Sequence, residues 1–299
     1  MDTTPTILVI AGPTGVGKTD LALGLAERFH TSIISADSRQ CYREMTIGVA
    51  RPPAAALQRI PHYFIATHSV TEAVNAAVFV QEAREAAKTE DLVLLVGGTG
   101  LYIKAFTEGI DDIPPIPEAT RQAVREGYAS GGLAWLQATV REKDPVWYEG
   151  GEVRNPHRLM RALEVIEATG QSIRTFQKGG ARDTRHVIKI GLDLPRELLY
   201  ARIDARVDQM MEAGLLEEVR GLLPFRGEKA LDTVGYKELF DYLDGQIPLE
   251  EAVAMIKQHT RNYAKRQLTW FRKDPEMTWF GPDEQEAVEA YVRRRLDSF

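Results

Sequence analysis

Short apolar segments alternate with helical patterns along the first hundred residues. The runs Thr6–Ala11, Ser32–Ala36 and Leu92–Val96 are mostly apolar, which is typical of strands buried in a parallel sheet. The apolar residues of 18–29 and 71–88 recur at helical spacing instead. Strands that alternate with helices in this way predict a parallel α/β sheet with short right-handed crossovers.

The pattern changes between residues 113 and 186. Ile113–Pro117 is rich in proline and is typical of a linker. The segment after it has helical patterns and no core strand, and the patterns cover 118–127, 132–143 and 156–169. The chain then returns to a predicted strand at Val187–Leu192, followed by helical patterns at 196–223 and 249–273. We therefore expect an α/β core of residues 1–112 and 187–299, interrupted by a helical insertion domain, 113–186.

A glycine-rich motif follows the first predicted strand and precedes the first predicted helix. Gly12-Pro13-Thr14-Gly15-Val16-Gly17-Lys18-Thr19 matches G-x-x-x-x-G-K-[ST] in full. Its backbone N–H groups would surround a phosphate, Lys18 would reach the outer phosphate oxygens, and the Thr19 hydroxyl would bind Mg²⁺. A chance glycine-rich turn is the alternative, and the flanking strand and helix argue against it. The sequence predicts a di- or triphosphate site in a P-loop NTPase-like fold.

The motif does not say what happens to the phosphate. Nucleotide hydrolases usually carry an acid after a second apolar strand, but here that strand ends in Gly97-Gly98-Thr99-Gly100. The acid best placed is Asp37, after the second predicted strand, because strand ends face the ligand crevice in such sheets. Asp37 would bind Mg²⁺ or accept a proton from a nucleophile, and a helix N-cap remains the structural alternative.

Composition narrows the class of protein. The 299 residues include 43 acidic and 37 basic side chains, for a net charge of −6, and one cysteine, Cys41. A single cysteine excludes a disulfide framework and a cysteine-rich zinc site, and it fits a reducing cytoplasm. No apolar run approaches the roughly 18 residues of a membrane span, and Met1–Pro5 lacks the basic start of a signal peptide. The net acidity, taken alone, argues against a nucleic-acid partner.

The charge is unevenly distributed, however. Residues 154–206 hold eleven basic and six acidic side chains, and no acid occurs in residues 260–273. Four cations, the first of which lies just before the second segment, recur at helical spacing as one predicted stripe with aromatic residues between them: Lys257, Arg261, Lys265 and Arg272. A solvated helix face and a track for an RNA backbone both explain such a pattern.

Several segments in order along nearly the whole chain resemble the tRNA dimethylallyltransferases, also called tRNA isopentenyltransferases. They are Gly12–Thr19, Ile34–Tyr42 with Met45 and Ile47-Gly48, Val96–Tyr102, Asn155–Val165, Val234–Tyr236 and Ala264–Arg272. The phosphate loop alone is generic, but the Asp37-Ser38 strand end, the Gly-Gly-Thr-Gly-Leu-Tyr turn and the Lys-Arg-Gln-Leu-Thr-Trp helix are specific together. The chain resembles the compact bacterial form without the zinc-finger extension of eukaryotic members.

The resemblance implies a reaction. The loop, Gly12 to Thr19, would hold the diphosphate of dimethylallyl diphosphate, and Mg²⁺ would help that diphosphate leave. The exocyclic amine of an adenosine 3′ to the anticodon would attack the allylic carbon, in tRNAs that read codons beginning with U. Asp37 matches the family's base, and Thr14, Lys18 and Arg206 would stabilise the leaving diphosphate. We expect a monomeric, cytoplasmic enzyme.

The resemblance also implies the surface that binds tRNA. The insertion domain would clasp the anticodon stem-loop, and the enzyme would flip the adenine out of its stack. The implied contacts are Asp37, Ser38, Arg39, Gln40, Thr99, Arg121, His157, Arg158, Leu159, Met160, Arg161, Val234, Gly235, Tyr236, Lys237, Lys265, Arg266, Gln267, Trp270 and Arg272.

Two segments depart from the family pattern. Ile65-Ala66-Thr67-His68 stands where an acidic segment is expected, and Gly48-Val49-Ala50-Arg51-Pro52 replaces the usual Gly-Thr-Ala-Lys-Pro. Three alternatives remain open: a P-loop small-molecule kinase, an isopentenyltransferase that acts on free adenine nucleotide, and a non-catalytic RNA-binding module. A kinase would carry an acid after the strand 92–96, and an isopentenyltransferase that acts on free nucleotide would not need the basic segments.

Overall fold

The computed structural model describes residues 5–177 and 185–299. Its core is one six-stranded sheet in the order β3-β2-β4-β1-β5-β6, and every strand pair is parallel. The strands are β1 (Thr6–Ala11), β2 (Ile33–Ser35), β3 (His62–Tyr63), β4 (Leu92–Gly97), β5 (His186–Leu192) and β6 (Thr278–Phe280). The predicted parallel α/β, P-loop-like fold is confirmed. The short edge strands β3 and β6 were not predicted.

Thirteen α-helices are found in the described residues. They are α1 (Lys18–Phe29), α2 (Ala54–Arg59), α3 (Ala76–Ala86), α4 (Gly100–Glu108), α5 (Glu118–Lys143), α6 (Pro145–Tyr148), α7 (Pro156–Thr169), α8 (Ile173–Phe176), α9 (Arg196–Glu212), α10 (Leu215–Gly221), α11 (Tyr236–Leu243), α12 (Leu249–Phe271) and α13 (Gln285–Leu296). The predictions for α1 and α7 match the structure at both ends. The single pattern predicted at 196–223 is wrong, because Gly214 adopts φ +97° and separates α9 from α10.

The sheet is buried because helices cover both of its faces. All six residues of β1 are buried, and Leu8 and Ile10 pack with Leu94 of β4 and Leu25 of α1 in the main core. The carboxyl ends of β1, β2 and β4 therefore lie on the same edge, since the three strands are parallel neighbours. This edge carries the phosphate loop, Asp37 and the Gly97–Gly100 turn.

The chain divides into two compact units, Met1–Thr107 with Thr184–Phe299, and Glu108–Asp183. The smaller unit overlaps the predicted insertion 113–186 and has a core of its own, in which Leu136, Leu159 and Trp147 are buried. The two helices predicted at 118–127 and 132–143 form the single element α5, with a break in helical geometry at Gly132.

Lys178, Arg182 and Asp183, which belong to the first basic segment, lie outside the described residues. Within the described residues, no helix combines the length and the apolar character that a membrane crossing needs.

Candidate active site at the ends of β1, β2 and β4

The phosphate loop joins β1 to α1 in a conformation that depends on glycine. Gly15 adopts φ +80° and Gly17 adopts φ +107°, values that other residues rarely tolerate. Gly17 is also the N-cap of α1 and provides no side-chain cap, so the first N–H groups of the helix are left for a ligand. Loop and helix N-terminus together form the anion site that the motif predicts.

Lys18 folds back over the loop. Its Nζ donates to the carbonyl oxygens of Gly12 at 3.0 Å and Pro13 at 2.8 Å. Burial lowers the pKa of Lys18 to about 8, the nearby Asp37 carboxylate raises it, and Arg206 lowers it. The ammonium is therefore held beside the loop in a setting where an anionic ligand would favour its charged form.

Arg206 of α9 belongs to the same group of charges. Burial lowers the pKa of its guanidinium, and the carboxylates of Asp37 and Asp20 act in the opposite direction. Two cations, Lys18 and Arg206, and one carboxylate, Asp37, thus influence each other at this edge of the sheet. The sequence placed Arg206 here only through the family resemblance, because a single arginine on a long helix carries no signal of its own.

Asp37 follows β2 and its carboxylate organises the turn after it. Oδ1 accepts the backbone N–H of Arg39 at 2.8 Å and that of Gln40 at 3.4 Å. The helix N-cap alternative is wrong, because among the described residues no helix begins at this turn and the next one is α2. Asp37 caps a turn instead, and only one of its oxygens is used in these bonds. The cap fixes the orientation of the carboxylate beside Lys18 and Arg206, so capping and a chemical role are compatible.

The turn after β4 packs directly on α12. A Cβ at Gly98 would lie 2.1 Å from Gln267 Nε2, and a Cβ at Gly100 would lie 2.1 Å from Trp270 Nε1. Between the two glycines, the Thr99 hydroxyl accepts the backbone N–H of Ser38 at 3.0 Å. The glycines of the Gly-Gly-Thr-Gly motif are therefore explained by close approach of α12.

Tyr263 of α12 lies at the same turn, although sequence reasoning did not place it in the site. Burial of its hydroxyl raises the pKa of Tyr263 to about 12; the Asp37 carboxylate adds to the rise, and a hydrogen bond with Thr99 opposes it. Its ring lies beneath the Arg266 guanidinium at 5.6 Å. The residue is 36% exposed, so its ring is an accessible aromatic surface close to Asp37.

Two side chains of the Asp37 turn that were predicted to contact RNA make hydrogen bonds within the protein instead. The Arg39 guanidinium donates to the carbonyls of Lys229, Ala230 and Asp232, and Gln40 Nε2 donates to those of Val49 and Ala50. These side chains hold the turn in place. Their first role in the structure is positional.

A carboxylate that sequence reasoning missed holds the loop after this turn. Glu218 accepts the backbone N–H groups of Thr46, Ile47 and Gly48, and it also accepts the Tyr236 hydroxyl at 2.7 Å. Tyr236 is fully buried, and a Cβ at Gly48 would lie 2.6 Å from its ring. The motif Val234–Tyr236 is thereby explained as support for the Asp37 loop.

The departure at Gly48–Pro52 also has a structural explanation. One nitrogen of the Arg51 guanidinium donates to the carbonyls of Tyr42, Arg43 and Met45. The arginine thus closes the loop internally. Ile65 lies in the wall of a small cavity of about 30 Å³ beside Thr19, which His62, Ser35 and Gln40 also line.

Three of the residues predicted to contact RNA are buried, so the predicted contact surface needs correction at these positions. The side chains of Leu159, Tyr236 and Gln267 are 0%, 0% and 6% exposed. Leu159 belongs to the core of the smaller unit, Tyr236 is bound to Glu218, and Gln267 is bonded to the phosphate loop and to Gly98. A docked nucleic acid would meet their neighbours instead.

Three of the four cations in the predicted stripe on α12 pair with carboxylates. Lys257 pairs with Asp208 at 2.6 Å, Arg261 pairs with Asp204, and Arg272 pairs with Asp193 at 2.6 Å. Asp204 and Asp208 lie on α9, so this face of α12 packs on a helix and its charges are compensated. Spacing showed which residues share a face, but it did not show what the face contacts.

The part of α12 around Lys265, the remaining member of the stripe, is open. A shallow cavity of about 390 Å³ is lined by Asn262, Lys265, Arg266, Thr269, Trp270 and Lys273. Trp270 is 42% exposed, so the cavity combines three cations with an aromatic surface. Cations beside exposed aromatic rings are the usual features of a site for unpaired RNA.

The remaining predicted contacts lie in other parts of the chain. Lys237, exposed at the start of α11, pairs with Asp232 at 2.7 Å, while Val234 is half-buried and Gly235 is buried. In the smaller unit His157 and Arg158 are exposed at the start of α7, and Met160 and Arg161 are half-buried. Arg121 of α5 is half-buried, and its Nε has no hydrogen-bond partner among the described residues.

The part of the chain that the structure describes has no cluster of side chains suited to bind a resident metal ion. The described residues contain no group of three or more His, Cys, Asp or Glu side chains that could hold a metal ion. Thr19 is exposed at the first turn of α1. One hydroxyl fits a Mg²⁺ ion that keeps its waters and takes further ligands from a bound diphosphate.

Comparisons with known proteins show the family of the chain. The model of the IPP transferase family matches residues 40–274. A Bacteroides thetaiotaomicron protein named tRNA dimethylallyltransferase 1 is 47% identical over 294 residues, covering 97% of this chain and 96% of that protein.

Two solved structures are similar along nearly their whole length. A tRNA isopentenylpyrophosphate transferase from Bacillus halodurans has 35% identity and a TM-score of 0.72, with 98% of this chain and 97% of that chain covered. The Staphylococcus epidermidis tRNA delta(2)-isopentenylpyrophosphate transferase has 30% identity and a TM-score of 0.70, with 97% and 99% covered. The chain belongs to the IPP transferase family.

Proposed function

We propose that the protein transfers a dimethylallyl group from dimethylallyl diphosphate to the exocyclic N6 of the adenosine 3′-adjacent to the anticodon, in tRNAs reading U-starting codons. The nitrogen lone pair forms a bond to the allylic C1 while the bond from C1 to the diphosphate oxygen breaks. The diphosphate leaves with that electron pair, and the N6 proton passes to Asp37. The cytoplasm, to which the single free cysteine is suited, is the proposed location.

The observation that carries this proposal is the meeting of an anion loop with an isolated carboxylate. Lys18 and Arg206 supply positive charge where a departing diphosphate would gain negative charge. Asp37, at the end of the next strand, is the carboxylate that influences both cations. This division of charge suits the departure of an anion and the removal of a proton in the same site.

Mg²⁺ would be held by the Thr19 hydroxyl together with the diphosphate. Bound there, it would supply further positive charge to the leaving group. The protein's own contribution is the loop that binds the diphosphate, through the residues Gly12, Pro13, Thr14, Gly15, Val16, Gly17, Lys18 and Thr19. An aromatic amine is a weak nucleophile, so most of the acceleration would come from positioning and from stabilising the leaving group.

The open face of α12 supports RNA over a free nucleotide as the acceptor. Lys265, Arg266 and Lys273 line one cavity with Trp270, and a mononucleotide in the active site would have no use for them. The predicted role of the smaller unit as a clasp for the anticodon stem-loop remains part of this proposal. Its exposed His157 and Arg158 are the side chains that suit it best.

The test compares acceptors in parallel. Radiolabelled dimethylallyl diphosphate is offered with unmodified tRNA and with AMP, and γ-labelled ATP is offered with both. We expect label from dimethylallyl diphosphate in tRNA alone. Label in AMP with none in tRNA would favour the free-nucleotide enzyme, and phosphoryl transfer from ATP would favour a kinase.

A further inference from the structure

The side chain of Gln267 ends between two turns of the active site. Its Oε1 accepts the backbone N–H of Thr14 at 2.9 Å, and its Nε2 donates to the carbonyl oxygen of Gly98 at 2.9 Å. Both ends of the amide are therefore used inside the protein. This residue links the phosphate loop after β1 to the turn after β4, although it belongs to a helix more than 160 residues further along the chain.

The fit around this amide is tight. A Cβ at Gly98 would lie 2.1 Å from Gln267 Nε2, so position 98 has no room for a side chain while the amide is in place. Breaking either bond would leave a partly buried or buried polar group unpaired, which is costly. The amide is thus a fixed connection.

Gln267 acts on the same part of the loop as Lys18. Lys18 Nζ holds the carbonyls of Gly12 and Pro13, and Gln267 holds the N–H of the next residue, Thr14. The side chains of Lys18 and Gln267 therefore hold the backbone of the first half of the loop in place. Among the residues that follow, Val16 donates its N–H to the Pro13 carbonyl at 3.4 Å, which holds the loop further. A loop that is ordered before an anion binds pays less of the ordering cost of binding.

The helix that provides Gln267 also provides the open basic face. Lys265 and Arg266 precede it and Thr269 follows it, and all three line the exposed cavity while Gln267 is buried. A ligand that fixes α12 through these exposed side chains would also fix the amide that holds the diphosphate loop. One helix thus contacts both proposed substrate sites.

We propose that Gln267 is a positioning residue that couples RNA binding on the exposed face of α12 to diphosphate binding in the loop. The inference rests on the proposed function only for the identity of the two ligands. Because coupling between two sites is reciprocal, diphosphate strengthens RNA binding by the same factor by which RNA strengthens diphosphate binding.

The first test replaces the amide by a side chain of similar length that can neither donate nor accept strongly. Calorimetry measures the affinity of inorganic diphosphate with Mg²⁺, with and without an anticodon stem-loop RNA. In the unmodified protein, RNA raises diphosphate affinity severalfold. In Gln267→Met, diphosphate binds about tenfold more weakly and RNA no longer improves it, as expected for one lost hydrogen-bonded connection.

The matched control is Gln258→Met, which makes the same change at an exposed position of the same helix. It behaves as the unmodified protein. Affinity for RNA measured without diphosphate is unchanged in both variants. A Gln267→Met protein that loses RNA affinity in the absence of diphosphate, or that keeps normal diphosphate affinity and coupling, overturns the inference.

A second variant separates positioning from a general loss of structure, and it serves if Gln267→Met does not fold. In Gln267→Glu the carboxylate has no donor for Gly98, whereas the protonated carboxyl group has one donor and one acceptor, as the amide has. Burial raises the pKa of such a carboxyl group above the ordinary glutamate value of about 4.3, so the variant's diphosphate affinity relative to the unmodified protein recovers as the pH falls from about 7 to about 4. A constant ratio over this range contradicts the inference.

These outcomes are distinct from those of the proposed function. Inorganic diphosphate probes the loop without any group transfer. Absence of dimethylallyl transfer by the unmodified protein would overturn the proposed function while leaving the measured role of Gln267 in place.

Discussion

The Thr99 hydroxyl accepts the backbone N–H of Ser38 at 3.0 Å, which ties the turn after β4 to the turn that carries Asp37. Asp37 in turn accepts the N–H of Arg39. The position of the proposed base is thus set from a neighbouring strand and from its own turn. Precise placement matters because small displacements of a reacting group reduce the rate strongly.

Thr99→Val should therefore impair the Asp37 turn. The substitution keeps the size and branching of the side chain but removes the acceptor for Ser38. We expect dimethylallyl turnover to fall about tenfold, the effect of one lost hydrogen bond at a positioned group. Thr99→Ser retains the hydroxyl and should remain near the activity of the unmodified protein; normal turnover in Thr99→Val together with a loss in Thr99→Ser would show that the methyl group, not the hydroxyl, is needed.

Asp37→Asn isolates the proposed chemical role. The amide oxygen can still accept the N–H groups of Arg39 and Gln40, so the turn persists, but the side chain can no longer take a proton. We expect single-turnover rates to fall about 10²- to 10⁴-fold while RNA affinity is retained. Near-normal turnover in a variant with an unchanged melting temperature would remove Asp37 from the mechanism.

The pH dependence of diphosphate binding should report on Lys18. Burial lowers its pKa to about 8 in the free protein, so the side chain loses its charge as the pH rises through this value. A bound anion favours the charged form, and binding above about pH 8 should take up a proton and weaken as the pH increases. Calorimetry in buffers of different ionisation enthalpy measures that uptake.

Lys18→Arg is the control for this measurement, because its guanidinium stays charged over the same range. Protonation of diphosphate itself is common to both proteins and cancels in the comparison. We expect less proton uptake in the variant. Identical uptake would show that Lys18 does not titrate near pH 8.

The open and the compensated faces of α12 should differ in RNA binding. Lys265→Ala with Arg266→Ala removes two cations from the exposed cavity, so RNA affinity should fall and the salt dependence should flatten by about one unit of slope per lost phosphate contact. Lys257→Ala removes a cation already paired with Asp208 and should leave the slope unchanged. A flatter salt dependence in Lys257→Ala than in the double variant would contradict this and would support RNA binding by the stripe that the spacing predicts.

The sequence predicted those parts of the site that depend on local geometry. The phosphate loop was predictable because its glycines allow positive φ between a buried strand and a helix. Asp37 was predictable because it comes at the end of β2. Both predictions require only a few adjacent residues and the rule that the carboxyl ends of parallel strands lie on one edge of the sheet.

Contacts between distant segments could not be predicted in this way. Gln267 is polar and lies in a basic segment, so its burial against Thr14 and Gly98 has no local signal. Likewise Asp204 and Asp208 compensate cations about fifty residues away, because α9 packs on α12. Glu218 is one glutamate among many until the fold brings it to the N–H groups of residues 46–48.

The most direct test of the central claim identifies the modified nucleoside. The purified protein is incubated with dimethylallyl diphosphate, Mg²⁺ and an unmodified anticodon stem-loop from a tRNA reading a U-starting codon, and the RNA is digested and analysed by mass spectrometry. We expect N6-dimethylallyladenosine from the adenosine 3′ to the anticodon, and none when guanosine replaces that adenosine. An unmodified RNA, or a dimethylallyl group at another position, would contradict it.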